Sequence, residues 1–219
     1  MYYFTRSPRT PAVPPAPPAS ISPTAPRFLS SAPATRVERV ALFLLQAGAV
    51  AVILVALPFK QFDLDRFFVP KELALHITAA GAAVLCLARA RRLELTRVDT
   101  LLAGFLVLSA LSAAAASNWW LAERALGVSI SSLALFWVAR ALARAGLARP
   151  LIGALVLAAA LGAVTALLQA YGVDSDLVSL NRAPGGTFGN RNFMAHLCVI
   201  VFPALLVTTL RARSPRRAP

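Results

Sequence analysis

The sequence predicts an all-α, polytopic membrane fold with about six transmembrane helices. Three observations carry this. The chain is 58% hydrophobic and only 14% charged, with a mean hydropathy of +0.68, whereas a soluble domain carries about 25% charged residues. Its apolar residues come in long blocks of membrane-crossing size. Its basic residues cluster in alternate connections between those blocks, as the positive-inside rule requires.

The six blocks are Val40–Leu57, Leu73–Ala88, Thr100–Ala116, Ala125–Ala139, Leu151–Tyr171 and Phe193–Leu210. A helix rises 1.5 Å per residue, so about 20 residues cross a hydrocarbon core of roughly 30 Å. The fourth block is short by that measure. Arg124 and Arg140 at its ends can snorkel to the interface, and a re-entrant segment is the alternative there. Small-residue faces such as Ala79, Ala82 and Ala83, or Ala154, Ala158 and Gly162, are the expected helix contacts.

Residues 1–35 form a Pro-rich tail with no apolar core of a signal peptide. Such a segment buries too little apolar surface to offset its ordering entropy, so it is expected to be disordered. Residues 36–211 make the six-span domain, and 212–219 a basic end.

Orientation follows from the cations. The tail, the second–third and fourth–fifth connections and the C-terminal end hold sixteen of the 22 Lys and Arg residues, all arginine. The other connections hold Lys60, Arg66, Lys71, Arg124, Arg182 and Arg191. Both termini are therefore expected in the cytoplasm. Asn118, Trp119 and Trp120 are expected to close the third span at the outer headgroup level, with Phe67 and Phe68 doing the same in the first outer loop.

This distribution also argues against nucleic acid as the partner of the +13 net charge, because the arginines flank apolar runs instead of forming a basic face. Cys86 and Cys198 lie inside apolar spans at different depths, without CxxC or Cys/His spacing. They read as small hydrophobes, and the sequence offers no metal site and no cofactor motif.

The stretch that can carry chemistry is the last outer loop, from Gln169 to His196. Pro184, Gly185 and Gly186 make a tight turn expected to aim backbone N–H groups outward. Asn190 or Asn192 can cap the helix that follows, whose positive dipole end faces the same side. Arg182 and Arg191 add charges suited to bidentate phosphate contacts. Together these suit a diphosphate at the headgroup level. The plainer reading is a loop end, a helix cap and arginines touching lipid phosphates, and composition leaves both open.

Other candidates are weaker. The acid pairs Asp63/Asp65 and Asp174/Asp176 can hold a cation or act in acid–base work, but they also read as solvated loop residues. His76 and His196 lie about one turn below the outer surface, where they can line one polar cavity or each bond a neighbouring carbonyl. Lys71 and Glu72 open the second span and are expected to pair with each other or with headgroups.

The string Gly186-Thr-Phe-Gly-Asn-Arg-Asn-Phe-Met-Ala195 resembles the Gly-Thr-Phe-Gly-Asn-x-Asn-Phe-Leu-Ala signature of the O-antigen ligase family, with Arg191 where that family usually has Pro. Val69-Pro70-Lys71, the Ser117–Ala122 stretch and Gln169-Ala-Tyr-Gly172 are similar to its weaker motifs, in the same order. The resemblance implies a glycosyltransferase of the bacterial inner membrane. Such an enzyme takes a glycan from a polyprenyl (undecaprenyl) diphosphate carrier on the periplasmic side, for lipopolysaccharide or other cell-envelope assembly. It implies arginines holding the diphosphate, for which Arg182 and Arg191 are the candidates, and no cofactor. Family members carry further spans and a large periplasmic loop with additional catalytic residues. The resemblance therefore implies an N-terminal half, with catalytic residues unknown here and a second chain as a candidate source of the rest. A non-catalytic subunit that binds a lipid-linked glycan or a partner protein is the second reading. Half of a transporter, with His76 and His196 along its path, is the third.

Overall fold

Cap residues define where each helix starts. In the computed structural model, which describes residues 34–57, 67–88, 95–173 and 184–212, α1 (Arg36–Leu54) begins with a reciprocal capping box. Thr35 Oγ1 accepts from the Glu38 amide at 3.3 Å, and the Glu38 carboxylate accepts from the Thr35 amide at 2.6 Å. Helix α2 (Val69–Leu87) takes Pro70 in its first turn, where a missing N–H leaves nothing unpaired. Helix α3 (Arg97–Ala114) repeats the box with Thr96 and Asp99. Helix α4 (Trp119–Leu142) is capped by Asn118, whose side chain accepts from the Leu121 amide at 3.2 Å. Helix α5 spans Ala148–Ala170, and α6 spans Arg191–Ala212. The described residues contain no strand, and all lie in one unit, Ser31–Pro219.

This is an all-α fold built for a bilayer. Five helical stretches are long and apolar enough to cross a membrane, and the fourth of them, Trp119–Ala170, holds both α4 and α5. It breaks at Gly146, whose φ of 82° inside the π-helical turn Ala143–Leu147 is left-handed and therefore suited to glycine. The α4 N-terminus meets the start of α2 through Arg124 and Glu72, and the α5 C-terminus reaches the same end through Gln169. The two helices thus run antiparallel. Among the described residues the bundle has six membrane-length helices, in keeping with the sequence.

The fourth span departs from its expected length. Helix α4 has 24 residues rather than the fifteen of the apolar block, so a re-entrant segment is not needed. Asn118, Trp119 and Trp120 open it instead of closing the third span. Hydropathy trimmed the helix because its first turns carry Glu123 and Arg124. The same cause clips the starts of α1 at Arg36 and Glu38, of α2 at Lys71 and Glu72, and of α3 at Asp99.

Packing follows small residues and polar clasps, as expected where lipid removes the hydrophobic drive between helices. Helix α2 packs on α1 and α4, α1 also on α5, α3 on α4, and α6 on α5. Of the expected small-residue faces, Ala79, Ala82, Ala158 and Gly162 are buried, while Ala83 and Ala154 are only partly so. Ala41, Ala82, Val138 and Leu142 form a buried apolar cluster, with Cys86 and Leu151 packed against it. Cys198 is exposed on α6.

At the end of the bundle holding this cluster, Asp99 is buried and fully engaged. It accepts from Trp137 Nε1 at 2.7 Å and pairs with Arg140 at 2.8 Å, while Thr96 donates from its amide and its hydroxyl. Arg140, expected to snorkel, instead ties α4 to α3.

The predicted tail through residue 33, both acid pairs, Arg182 and the basic end from residue 213 lie outside the described residues.

Gly48 faces Thr78 so closely that a Cβ would overlap the threonine side chain. A β-branched side chain on a helix has little freedom to yield. Gly48→Ala is expected to lower stability by about 1–3 kcal/mol, read as a lower melting temperature in detergent. Adding Thr78→Ala to that variant should restore most of the loss.

Candidate functional site

Of the singled-out residues that are described, Lys71, Glu72 and the Gly185–Asn192 stretch lie at the opposite end of the bundle, near the start of α2. Lys71 and Glu72 are adjacent in sequence and so point to different neighbours. They do not pair with each other. Lys71 is buried and turns toward the loop before α6, where its ammonium donates to the Thr187 carbonyl at 2.8 Å and sits 3.8 Å from the centroid of the Phe188 ring. Glu72 turns to α4 and forms a bidentate pair with Arg124, both bonds 3.0 Å. Fork-to-fork geometry of this kind gives direction as well as attraction. Arg124 also lies 4.4 Å from the centroid of the Trp120 ring, one turn earlier on α4.

One turn deeper on the Glu72 face, His76 Nδ1 meets Ser131 Oγ at 2.7 Å. Gly127 lies beside the imidazole. Helices α2 and α4 therefore share a polar seam at i, i+4 on one side and i, i+3, i+7 on the other. His196 is not part of it. It is exposed on α6, which packs on α5 and on the loop, whereas α2 packs on α1 and α4. The expectation of one cavity lined by both histidines is corrected accordingly: the intervening helices place them on different faces.

The glycine-rich loop is folded inward. Gly185, Gly186, Thr187 and Gly189 are buried around the short 3-10 turn Gly186–Phe188. The Gly186 amide donates to Gln169 Oε1 at 2.7 Å, and the Thr187 amide to Thr165 Oγ1 at 3.4 Å. Thr165 and Gln169 are one turn apart on α5, so they grip the loop as a pair. Gly186 has φ 54°, and a Cβ there would lie 2.6 Å from Thr165 Oγ1. Gly189, at φ 63°, packs its backbone on the Phe67 ring, which therefore supports the loop instead of sitting among headgroups. The outward N–H groups expected at Gly186 are thus engaged inside the fold, because the glycines serve close packing first.

What remains available lies just beyond. Arg191, Asn190 and Asn192 are exposed at the start of α6. Asn190 caps that helix, its Oδ1 accepting from the Asn192 amide at 2.8 Å. Among the described residues the Thr187 hydroxyl is buried without a hydrogen-bond partner, an arrangement that ordinarily costs about 1–3 kcal/mol. Among the described residues no group of three His, Cys, Asp or Glu side chains is placed to hold a metal ion.

Several residues here carry roles the sequence did not assign. Gln169 entered only as the first residue of the Gln169-Ala-Tyr-Gly172 string, Thr165 adds only an i, i+4 spacing to it, and Ser131 shows no signal. No family model, no curated protein and no solved structure matches the chain.

The division between buried and exposed cations has a measurable consequence. Lys71→Met leaves the Thr187 carbonyl unpaired and should lower stability by about 1–3 kcal/mol, whereas Arg191→Ala should change it by less than about 0.5 kcal/mol. Denaturant unfolding in detergent micelles compares the two.

Proposed function

We propose that this multi-pass membrane protein binds a polyprenyl-diphosphate-linked glycan at its Lys71 end, as the N-terminal transmembrane part of a glycosyltransferase of the O-antigen ligase type. One observation supports this reading above the others. The Gly186–Ala195 string that resembles the family signature folds as a fixed platform between the buried Lys71 and the exposed Arg191, with Arg124 on the neighbouring seam. Lys71 has a single oxygen acceptor among the described residues, and the Thr187 hydroxyl above it has none. An anionic headgroup arriving at the start of α6 would meet the helix dipole, Arg191 and the amides of the first turn. Its isoprenoid tail would lie along the apolar flank of the bundle. Bond-forming residues are not assigned, because the paired groups here, Glu72 with Arg124 and His76 with Ser131, are held as structural clasps.

In this reading the membrane is the bacterial inner membrane and the Lys71 end faces the periplasm. The arginines of the other end, among them Arg36, Arg39, Arg140 and Arg149, then lie in the cytoplasm. A non-catalytic subunit that binds the same lipid-linked glycan uses the same site and differs only in needing a partner chain for the chemistry.

Two measurements test the proposal. Binding of a purified polyprenyl diphosphate to the detergent-solubilised protein should weaken at least about tenfold when Arg182→Ala and Arg191→Ala are combined, since two phosphate contacts are lost. Unchanged affinity would overturn the diphosphate assignment. For orientation, Ser179→Cys in a chain with Cys86 and Cys198 replaced by serine should react with a membrane-impermeant thiol reagent added to intact spheroplasts. Labelling that needs broken membranes would reverse the topology.

A further inference from the structure

Helices α1, α2, α4 and α5 surround a cleft of about 400 Å³ that the bundle leaves unfilled. Leu45, Val52, Leu75, Leu135, Ala154 and Leu155 line it, and the Thr78 side chain is its one polar contribution. The cause is the Gly146 reversal. It joins α4 to α5 at one end, but beyond the turn the two helices hardly touch, since α4 leans on α2 and α5 on α1. Of the neighbouring walls, α4 and α5 make the least contact with each other, so the gap between them is the side the bundle does not close.

Such a cleft does not stay empty. Protein interiors pack at the density of organic crystals, and walls without a partner forfeit their dispersion contacts. Water needs two to four polar partners, which this lining lacks. A helix is too thick. With a diameter of about 10 Å, only about 5 Å of its length would fit the volume. The occupant must be long, thin and apolar, which describes a single hydrocarbon chain.

The mouth supplies the other half of the recognition. Arg149 stands one turn before the lining residue Ile152 and is exposed without an ion pair among the described residues, so its long side chain starts close to the end of the cleft. The acids described at this end are both occupied, Glu38 by its cap and Asp99 by Arg140. Cation and cleft together match one molecule with an anionic head and an acyl tail.

We infer that the α4–α5 cleft is a binding site for an anionic phospholipid, one acyl chain lying between the two helices and the phosphate held at Arg149. The site is at the opposite end from the proposed diphosphate platform and does not depend on it.

The test uses the full-length protein in a mild detergent with dioleoyl phosphatidylglycerol or dioleoyl phosphatidylcholine added, followed by native mass spectrometry. The expected result is retention of one phosphatidylglycerol, about fivefold more strongly than phosphatidylcholine, the worth of about 1 kcal/mol for one arginine near a charged headgroup. Arg149→Gln should remove that preference. Ala154→Phe should abolish retention of both lipids. If that variant misfolds, Ala154→Val should reduce retention while helix content and melting stay unchanged. Arg97→Gln, on α3 away from the cleft, should change nothing. Equal retention of the two lipids, retention unaffected by filling the cleft, or an equal effect from Arg97→Gln would each overturn the assignment.

Discussion

Two consecutive residues at the head of α2 hold the architecture of the Lys71 end together. In lipid there is little free energy to be gained by hiding one apolar helix behind another, so helices stay together through close approach and through polar groups with nowhere else to go. Lys71 and Glu72 are such groups. Because successive helical residues diverge by 100°, one reaches the loop carried by α5 and α6, and the other reaches α4. Removing either would leave its partner stranded at low dielectric, which is why a pair of this kind is worth more intact than its net attraction suggests. The buried glycines, the Thr165–Gln169 grip and the His76–Ser131 contact are arranged around that anchor.

The other end solves the same problem with a different pairing. Asp99 is held by three side chains and a backbone amide at once, with every oxygen occupied. A carboxylate this deep is tolerated only when so completely satisfied. The two ends therefore contrast in kind: the Asp99 cluster is saturated, while Lys71 and Thr187 keep donor capacity in hand. Saturated clusters specify geometry, and unsaturated ones are where a ligand's oxygen atoms find something to meet.

Much of this was legible in the sequence, for physical reasons that also mark where legibility ended. Apolar runs marked the number and order of the helices, and Ala and Gly spacing marked the seams at Ala79, Ala82, Ala158 and Gly162, since both depend on local composition. Helix starts were misplaced by several residues wherever the first turn carried charge, as at Glu123 and Arg124. The candidate site was legible as a place, because Lys71, Gly186 and Arg191 do lie at one end. Its internal wiring was not. Whether Gly186 offers its amide to solvent or to Gln169 depends on the crossing of α5 with the loop, and no local pattern encodes that. The expectation of one cavity shared by His76 and His196 failed for the same reason: equal depth says nothing about which helices pack together.

Helix α3 touches the rest of the described bundle through α4, with Asp99, Trp137 and Arg140 as its clasp. This makes the fold modular in a specific sense. The contacts among α1, α2, α4, α5 and α6 are complete without α3, so its swinging away would disturb neither the Lys71 anchor nor the seams. Whatever holds α3 in place is therefore concentrated in that one clasp.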